Sequence, residues 1–421
     1  MKHQKAILGL LAGAMLVVPW LLPAAAEPGP GLVPELLDPE AFTVLGDRLY
    51  FTASSDETGR EPWVTDGTAA GTRLVSDVCP GPCSSYAVGF GEIGGRLVVV
   101  AQIENETLVL KEKDGRLARV ATLAGTTNSF FQLGEKVYFQ LRQGSKGEGI
   151  LLMASDGTAA GTVVASPLCF GSECGESFSF ARAGDAVYFV VTDAYLGTEV
   201  KRLVAGQAAK RVIKFDVGTE VDSLRALDGQ RVVFRMTSRP NRFGIVWIYD
   251  SGAHARRVEP RSPFSRAESF LATWRGRIYY RNTEGNMVTT SEKGGDLRPA
   301  TELTGARPGV WPIDYAEHLY YMDGGNLRVH RADGVDLALL SGSGTYTIQG
   351  VWSDKALIRQ NDRLFATDGT AAGTVELPDV LRNGVGVPFL GDFFFAGSTS
   401  GPHKLWRTDG SPAGTYEIAA E

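Results

Sequence analysis

The sequence predicts an all-β protein, a single β-propeller of four-stranded antiparallel blades. Three observations support this prediction. One octet recurs four times, glycine turns separate short apolar strands at a period of about 40–50 residues, and no segment has a sustained helical period. A chain of 421 residues also exceeds the usual size of one core, so either several domains or a ring of repeats is expected.

The recurring octet starts with Thr or Ser, continues with Asp-Gly and ends with Gly-Thr. Its copies are Thr65–Thr72, Ser155–Thr162, Thr367–Thr374 and Thr408–Thr415. Asp accepts hydrogen bonds from backbone N–H groups two residues on, and Gly allows positive φ, so each copy predicts a tight turn between two strands. The predicted structural turn residues are Asp66, Gly67, Asp156, Gly157, Asp368, Gly369, Asp409 and Gly410. A calcium loop gathers several carboxylates and each octet has one, so we expect no metal there.

Each repeat unit reads as four short strands joined by three turns. In the first unit, the predicted strands are Phe42 to Leu45, Arg48 to Ala53, Glu61 to Thr65 and Thr72 to Asp77. Nine units can be counted between Phe42 and Glu421, and the prediction is eight or nine blades because rings usually have about 4–8. The alternatives are an open solenoid and a string of small sandwiches. The lack of Pro/Ser-rich linkers between units argues against the string.

Residues 1–26 are predicted to be a signal peptide. Lys2 and Lys5 precede an apolar stretch from Ala6 to Leu22, and three alanines at 24–26 offer a cleavage site. An uncleaved membrane anchor is the alternative, and Pro19 within the apolar stretch argues against it. We expect an exported protein, periplasmic, on the outer surface or extracellular, with no membrane span after cleavage.

The rest of the chain divides into two predicted regions. Residues 27–41 form an N-terminal segment in which Leu32 to Leu37 resembles a stray outer strand, able to close the ring by pairing with the last unit. Residues 42–421 form the propeller repeat domain.

The four cysteines form two close pairs. Cys79 and Cys83 enclose one short loop, and Cys169 and Cys174 enclose another. In an oxidising compartment, each pair is expected to form a local disulfide. The alternative is one zinc site that uses all four thiolates, but a whole repeat separates the pairs and makes joint ligation geometrically poor.

The octet and its flanks resemble a bacterial exported repeat. Glu61 to Thr68 reads EPWVTDGT and Gly71-Thr72 follows, while Lys404 to Ser411 reads KLWRTDGS. Both are similar to the consensus ELWxxDGTxxGT, although the middle units lack the Asp-Gly-Thr octet. The resemblance implies an exported, propeller-like protein of gram-negative bacteria, and that family offers no catalytic residues to transfer.

Composition and motifs exclude several functional classes. A formal net charge of −6 gives no general attraction to nucleic acid. The sequence has no Gly-x-Ser-x-Gly elbow and no phosphate-binding loop, and its histidines lack metal-ligand spacing. We therefore predict no catalytic residues, no metal and no cofactor, and we expect a monomer.

Two groups of charged residues are candidates for binding, but the sequence does not define a binding site. Loops that enter the innermost strands carry Asp38, Glu40, Glu176, Glu220, Asp222, Arg266, Glu268 and Arg307. A basic cluster contains Arg239, Arg242, Arg256, Arg257, Arg261 and Arg266, together with Trp247 and Tyr249. The first group is consistent with a solvated polar rim or with acid–base catalysis on a sugar. The second fits an acidic glycan or a solubilising blade edge.

The sequence therefore favours an exported, non-catalytic propeller that serves as a binding or scaffold module. The expected partner is a cell-surface protein or an acidic glycan. The alternative is a hydrolase or lyase that acts on polysaccharide at the axial mouth of the ring. Whether the protein is an enzyme stays open, with the sequence favouring a non-enzyme.

Overall fold

The structure, a computed structural model, describes residues 35–144, 149–170, 180–193, 195–238, 241–250, 254–258, 267–282, 284–291, 293, 296–303, 313–315, 318–323, 325–342, 346–378, 380–382 and 386–418. Strands make up 63% of it, and the predicted all-β propeller class is confirmed. A short 3-10 turn lies at Thr301–Leu303. Within the described ranges, no helix is long and apolar enough to cross a membrane. The predicted signal peptide lies outside these ranges.

In the described part of the chain, the strands fall into nine consecutive groups of four, with one additional strand. The first three groups are β1 (Leu37–Leu45), β2 (Arg48–Ser55), β3 (Gly59–Thr65), β4 (Arg73–Leu74); β5 (Ala87–Ile93), β6 (Arg96–Ile103), β7 (Glu106–Lys113), β8 (Arg116–Ala124); and β9 (Phe130–Leu133), β10 (Lys136–Arg142), β11 (Ile150–Ser155), β12 (Val163–Phe170). The blade count of eight or nine stays a prediction.

The next three groups occupy the middle of the chain. They are β13 (Phe180–Ala183), β14 (Ala186–Asp193), β15 (Gly197–Val204), β16 (Lys210–Phe215); β17 (Thr219–Ala226), β18 (Arg231–Ser238), β19 (Asn241–Asp250), β20 (Arg256–Arg257); and β21 (Ala267–Trp274), β22 (Arg277–Asn282), β23 (Met287–Ser291), β24 (Arg298–Pro299).

The last three groups complete the chain, with β33 as the additional strand. They are β25 (Ile313–Tyr315), β26 (His318–Asp323), β27 (Asn326–His330), β28 (Asp336–Leu340); β29 (Tyr346–Trp352), β30 (Lys355–Gln360), β31 (Arg363–Thr367), β32 (Val375–Glu376); β33 (Leu381–Arg382); and β34 (Val387–Phe389), β35 (Asp392–Ser398), β36 (Lys404–Thr408), β37 (Tyr416–Glu417).

Within each group, neighbouring strands pair antiparallel in chain order. The fourth strand has only two residues in several groups, including β4, β20 and β24. Two links join groups into larger sheets: Cys169 of β12 pairs parallel with Thr192 of β14, and Gly244 of β19 pairs with Ala267 of β21. First strands of several successive groups contact one another, as expected for strands that line the axis of a ring.

The antiparallel order gives the ring two faces. Turns between first and second strands, and the octets between third and fourth strands, lie on one side, which we call the octet face. Turns between second and third strands, and the connections from one group to the next, lie on the other side, which we call the loop face. In the first group, Gly46 and Gly67 belong to the octet face, while Thr58 and Cys79 belong to the loop face.

Hydrophobic cores lie between neighbouring groups, because each sheet buries its two apolar faces against the sheets on either side of it. Leu110 and Phe90 of the second group share a core with Tyr50 of the first. The same arrangement closes the ring: Phe51 and Trp63 of the first group share a core with Phe394 and Leu405 of the last. Closure thus buries apolar side chains from the two ends of the chain.

The N-terminal boundary differs from the prediction. The first strand begins at Leu37, where it pairs with Ser54, and not at Phe42. Of the predicted ring-closing strand, residues 32–34 lie outside the described ranges, and Glu35 and Leu36 are not in a strand. Leu36 packs in the core shared with the last group, and the Asp38 N–H of β1 donates to the carbonyl oxygen of His403 at 2.7 Å. Pairing of the whole segment with the last unit stays a prediction.

Candidate functional site

The four octets share one hydrogen-bond pattern. In the first copy, Asp66 Oδ1 accepts bonds from the amide of Thr68 at 3.0 Å and from its hydroxyl at 2.7 Å. The Thr68 hydroxyl oxygen accepts a bond from the amide of Gly71 at 3.0 Å. The Gly67 amide donates to Thr65 Oγ1 at 2.9 Å. The corresponding aspartates Asp156, Asp368 and Asp409 accept bonds from the residue two positions on in the same way.

The two glycines of the octet are required for different reasons. Gly67 has a φ of 91°, which few other residues adopt. A Cβ on Gly71 would lie 1.9 Å from Asp66 Oδ1, so no side chain fits there. The aspartate therefore lies over the second glycine of its own turn and holds the turn closed.

The aspartates of the octets are held ionised by their own turns. The Thr68 hydroxyl and amide keep the pKa of Asp66 below its ordinary value, and Ser411 does the same for Asp409. At Asp368 burial opposes this effect, yet the bonds from Thr370 still lower its pKa. Across the described ranges, no three His, Cys, Asp or Glu side chains are grouped closely enough to hold a metal ion.

The first cysteine pair forms a disulfide on the loop face. Cys79 and Cys83 are bonded, with their Cα atoms 5.3 Å apart, so these positions offer no thiolate for the alternative zinc site. Cys169 is also disulfide-bonded. Its predicted partner, Cys174, lies outside the described residues.

A buried acid anchors the base of the first disulfide loop. Glu61 is fully buried and accepts bonds from the amides of Val78 and Cys79, each at 3.0 Å, and from the Ser85 hydroxyl at 2.6 Å. Burial raises the pKa of Glu61 to about 8, against the lowering effect of those three bonds. Glu61 is the first residue of the ELW-type motif, so this position holds the loop that connects the first two groups.

A polar cluster lies on the loop face where the first and last groups meet, near the start of β1. We call Asp38, Glu40, Arg60, Tyr86 and His403 the mouth cluster. Nη2 of Arg60 lies 2.8 Å from Glu40 Oε2 and donates to the Asp38 carbonyl oxygen at 2.8 Å. Asp38 Oδ1 accepts a bond from the His403 amide at 3.2 Å. The Ser85 amide donates to the Arg60 carbonyl oxygen at 2.9 Å, which places Tyr86 beside Arg60.

Two residues of this cluster and the neighbouring Ala41 have positive φ angles. Asp38 has a φ of 51°, Ala41 a φ of 54° and Tyr86 a φ of 25°, although none of them is glycine. Two register shifts in β1 accompany the first two values. Non-glycine residues at positive φ are uncommon and concentrate at functional sites. Tyr86 keeps 54% of its surface exposed, so its ring is held toward solvent by a backbone that is costly to form.

The other predicted rim residues are spread over several groups. Glu220 and Asp222 lie in β17, and Glu268 lies in β21. Glu176, Arg266 and Arg307 lie outside the described residues. Of the predicted rim, the structure therefore brings together Asp38 and Glu40, and each of them has a basic partner within the chain.

The predicted basic cluster is placed at an outer edge. Arg256 and Arg257 form β20, the exposed outermost strand of its group, and Arg242 lies in β19. Arg239, Arg261 and Arg266 lie outside the described residues. Trp247 and Tyr249 do not accompany the arginines as exposed aromatics, because they pack into the core between the fourth and fifth groups.

The structure shows two surface features that the sequence analysis missed. Tyr195, Leu196 and Val217 are exposed on the loop face. On the octet face, a depression of about 260 Å³ is lined by Val44, Gly46, Trp352, Ser353, Pro388, Phe389, Leu390 and Gly391. The available sequence signal was apolar residues directly before a glycine: Tyr195-Leu196 before Gly197 and Leu390 before Gly391.

Comparison with known proteins gives no family. No family model matches the chain, and no curated protein matches it. Among solved structures, it is similar to the computationally designed protein Ika8, with 13% identity, a TM-score of 0.42 and coverage of 76% of this chain and 96% of that one.

Two peptidase structures are similar over part of their length. A puromycin-hydrolyzing peptidase of Mycobacterium tuberculosis has 11% identity and a TM-score of 0.41, over 91% of this chain and 53% of its own. Oligopeptidase B of Leishmania major has 12% identity and a TM-score of 0.41, over 80% of this chain and 54% of its own. The chain thus spans about half the length of these peptidases, and at such low identity no activity follows from them.

Proposed function

We propose that this protein is an exported, non-catalytic propeller that binds a cell-surface protein or glycan through its loop face. The observation that carries the proposal is the mouth cluster. It combines an exposed tyrosine, two carboxylates and a guanidinium, and two of its residues, Asp38 and Tyr86, have positive φ angles. Aromatic rings provide flat apolar area, and the charged groups provide hydrogen bonds that fix a ligand's orientation.

The contacts that Asp38 and Glu40 make favour binding over catalysis. Glycoside hydrolysis needs one carboxyl group that gives a proton and a second that acts on the sugar or on water. At the mouth, Glu40 pairs with Arg60 and Asp38 pairs with His403. Side chains fixed by such contacts are suited to orienting a bound ligand.

The charge of the mouth cluster indicates which glycan class it would take. Asp38 and Glu40 outnumber the guanidinium of Arg60, so neutral sugars fit this position better than acidic ones. An acidic glycan would instead meet Arg256 and Arg257 at the outer edge. Neutral and acidic glycans would therefore bind at different positions on the protein.

A glycan array probed with the chain from residue 27 onward tests the proposal. We expect neutral glycans to be retained, and retention to fall by about tenfold or more in a Tyr86→Ala variant. The same glycans are then incubated with the protein and assayed for new reducing ends. Release of reducing ends that a Glu40→Gln variant lacks would replace the proposal with the polysaccharide hydrolase.

A further inference from the structure

A second surface on the loop face exposes three apolar side chains. Tyr195 is 84% exposed, Leu196 62% and Val217 59%. Tyr195 and Leu196 lie in the turn between β14 and β15, and Val217 lies in the connection between β16 and β17. We call these three residues the docking tip.

Backbone contacts hold the docking tip in place. Asp193 Oδ1 accepts bonds from the amides of Tyr195 at 2.8 Å and Leu196 at 3.0 Å. A Cβ on Gly197 would lie 2.1 Å from the carbonyl oxygen of Phe215, so the turn packs directly on the connection that carries Val217. Thr198 Oγ1 donates to the carbonyl oxygen of Thr219 at 2.6 Å and ties the same two segments together. The two segments that carry the three apolar side chains are therefore held next to each other.

The equivalent turn in the first group shows that apolar residues are not needed to form such a turn. There, Asp56, Glu57 and Thr58 connect β2 to β3, and Gly59 lies against the connection at Cys83 as Gly197 does against Phe215. Exposed apolar surface is unfavourable by about 25 cal/mol per Å², and contiguous exposed apolar patches mark interaction sites. The turn alone therefore does not explain the apolar residues of the docking tip.

The charges around the docking tip indicate its partner. Three acids lie near these apolar residues: Asp216 next to Val217, Asp193 at the base of the turn, and Glu220 farther along the chain. The nearby cation on β16 is Lys214. Acidic groups outnumber basic ones, so a complementary surface carries Lys or Arg around an apolar pocket. Aliphatic Leu196 and Val217 offer little to a sugar, which favours a protein over a glycan.

We propose that the docking tip binds a protein whose apolar pocket is bordered by basic residues. This inference goes beyond the proposed function, because it concerns a surface separate from the mouth cluster. It therefore survives if the mouth cluster binds no glycan.

Two amphipathic peptides, one of Leu and Lys and one of Leu and Glu, serve as probes. At about 0.15 M salt, where distant surface charges are screened, fluorescence anisotropy should show that the Leu/Lys peptide binds more tightly. A variant carrying Tyr195→Ser and Leu196→Ser should bind it about tenfold more weakly or worse. Asp216→Lys should weaken binding of the Leu/Lys peptide, because it places a cation beside the apolar residues.

Asp56→Lys is the matched control, since it makes the same change in net charge at a loop-face turn without exposed apolar residues. It should bind the Leu/Lys peptide as the unmodified protein does. Equal weakening by Asp56→Lys and Asp216→Lys would show that net charge alone attracts the peptide and would overturn the inference. Undiminished binding by the Tyr195→Ser, Leu196→Ser variant would overturn it as well. That variant should keep glycan retention unchanged, so the two proposals fail separately.

Discussion

Thr65 Oγ1 and Thr72 Oγ1 lie 2.8 Å apart and join the two ends of the first octet. The same pair recurs as Thr408 and Thr415 at 2.6 Å. Each octet also contacts the preceding group: Nζ of Lys355 donates to the Asp409 carbonyl oxygen at 2.6 Å. The recurring sequence thus encodes a turn whose hydroxyls, carboxylate and glycines serve the fold.

Replacing the second glycine of the octet should destabilise the protein. In Gly71→Ala the new Cβ would meet the Asp66 carboxylate, so the turn must open and lose its hydrogen bonds. We expect a loss of about 2 kcal/mol or more in the free energy of unfolding, measured by urea titration. Gly229→Ala is the control, because its Cβ meets no atom within 4 Å. Equal losses in the two variants would show that the contact with Asp66 is unimportant.

Glu61 should make stability depend on pH. Its pKa is raised from 4.5 to about 8 in the folded protein, so the fold favours the protonated form. The stabilisation that results is fully present below the pKa of Glu61 in the unfolded chain. It is lost as the pH rises through the pKa of Glu61 in the folded protein. Between about pH 5 and 8, the Tm of the unmodified protein should therefore fall relative to Glu61→Gln. A rise would mean that the bonds from Val78, Cys79 and Ser85 outweigh burial.

The core between the last and first groups should stabilise the protein as much as the cores between other neighbouring groups. Phe394 is fully buried between the last and first groups, and Phe90 is buried between the first two. Phe394→Ala and Phe90→Ala should each reduce the free energy of unfolding by about 3–5 kcal/mol. Denaturant titrations measure both. A loss below about 1 kcal/mol in Phe394→Ala alone would show that the two ends of the chain are not closed by this core.

The basic outer edge should govern retention of acidic polymers. Replacing Arg256 and Arg257 by Ala removes two exposed cations from β20, so elution from heparin should shift to lower salt. Replacing Lys210 and Arg211, two exposed cations of β16, is the control and should leave elution nearly unchanged. If both double variants shift equally, the edge at β20 has no special affinity.

The sequence predicted the strand and turn pattern because that information is local. The Asp-Gly and Gly-Thr steps of an octet fix a turn within eight residues, whatever the rest of the chain does. The mouth cluster was only half predicted. Asp38 and Glu40 were expected at the rim, but the contact between Asp38 and His403 spans 365 residues and exists only once the ring has closed. Positive φ at Tyr86 likewise depends on packing that no single segment reveals.

The exposed docking tip shows a different limit. Tyr195 and Leu196 were visible in the sequence as apolar residues at a turn, yet apolar turn residues can be buried by a neighbouring loop. Their exposure follows from the bonds of Asp193 and from the fit of Gly197 against Phe215, and these contacts required the folded chain.

The central claim, that the mouth cluster binds a ligand, is tested most directly by comparing two tyrosine variants. With the glycan or surface protein retained most strongly by the unmodified chain, calorimetry should give a Kd about tenfold or more higher for Tyr86→Ala. Tyr416→Ala, which removes an exposed tyrosine from the outer strand β37, should leave the Kd unchanged. Equal Kd values for Tyr86→Ala and the unmodified protein would contradict the claim.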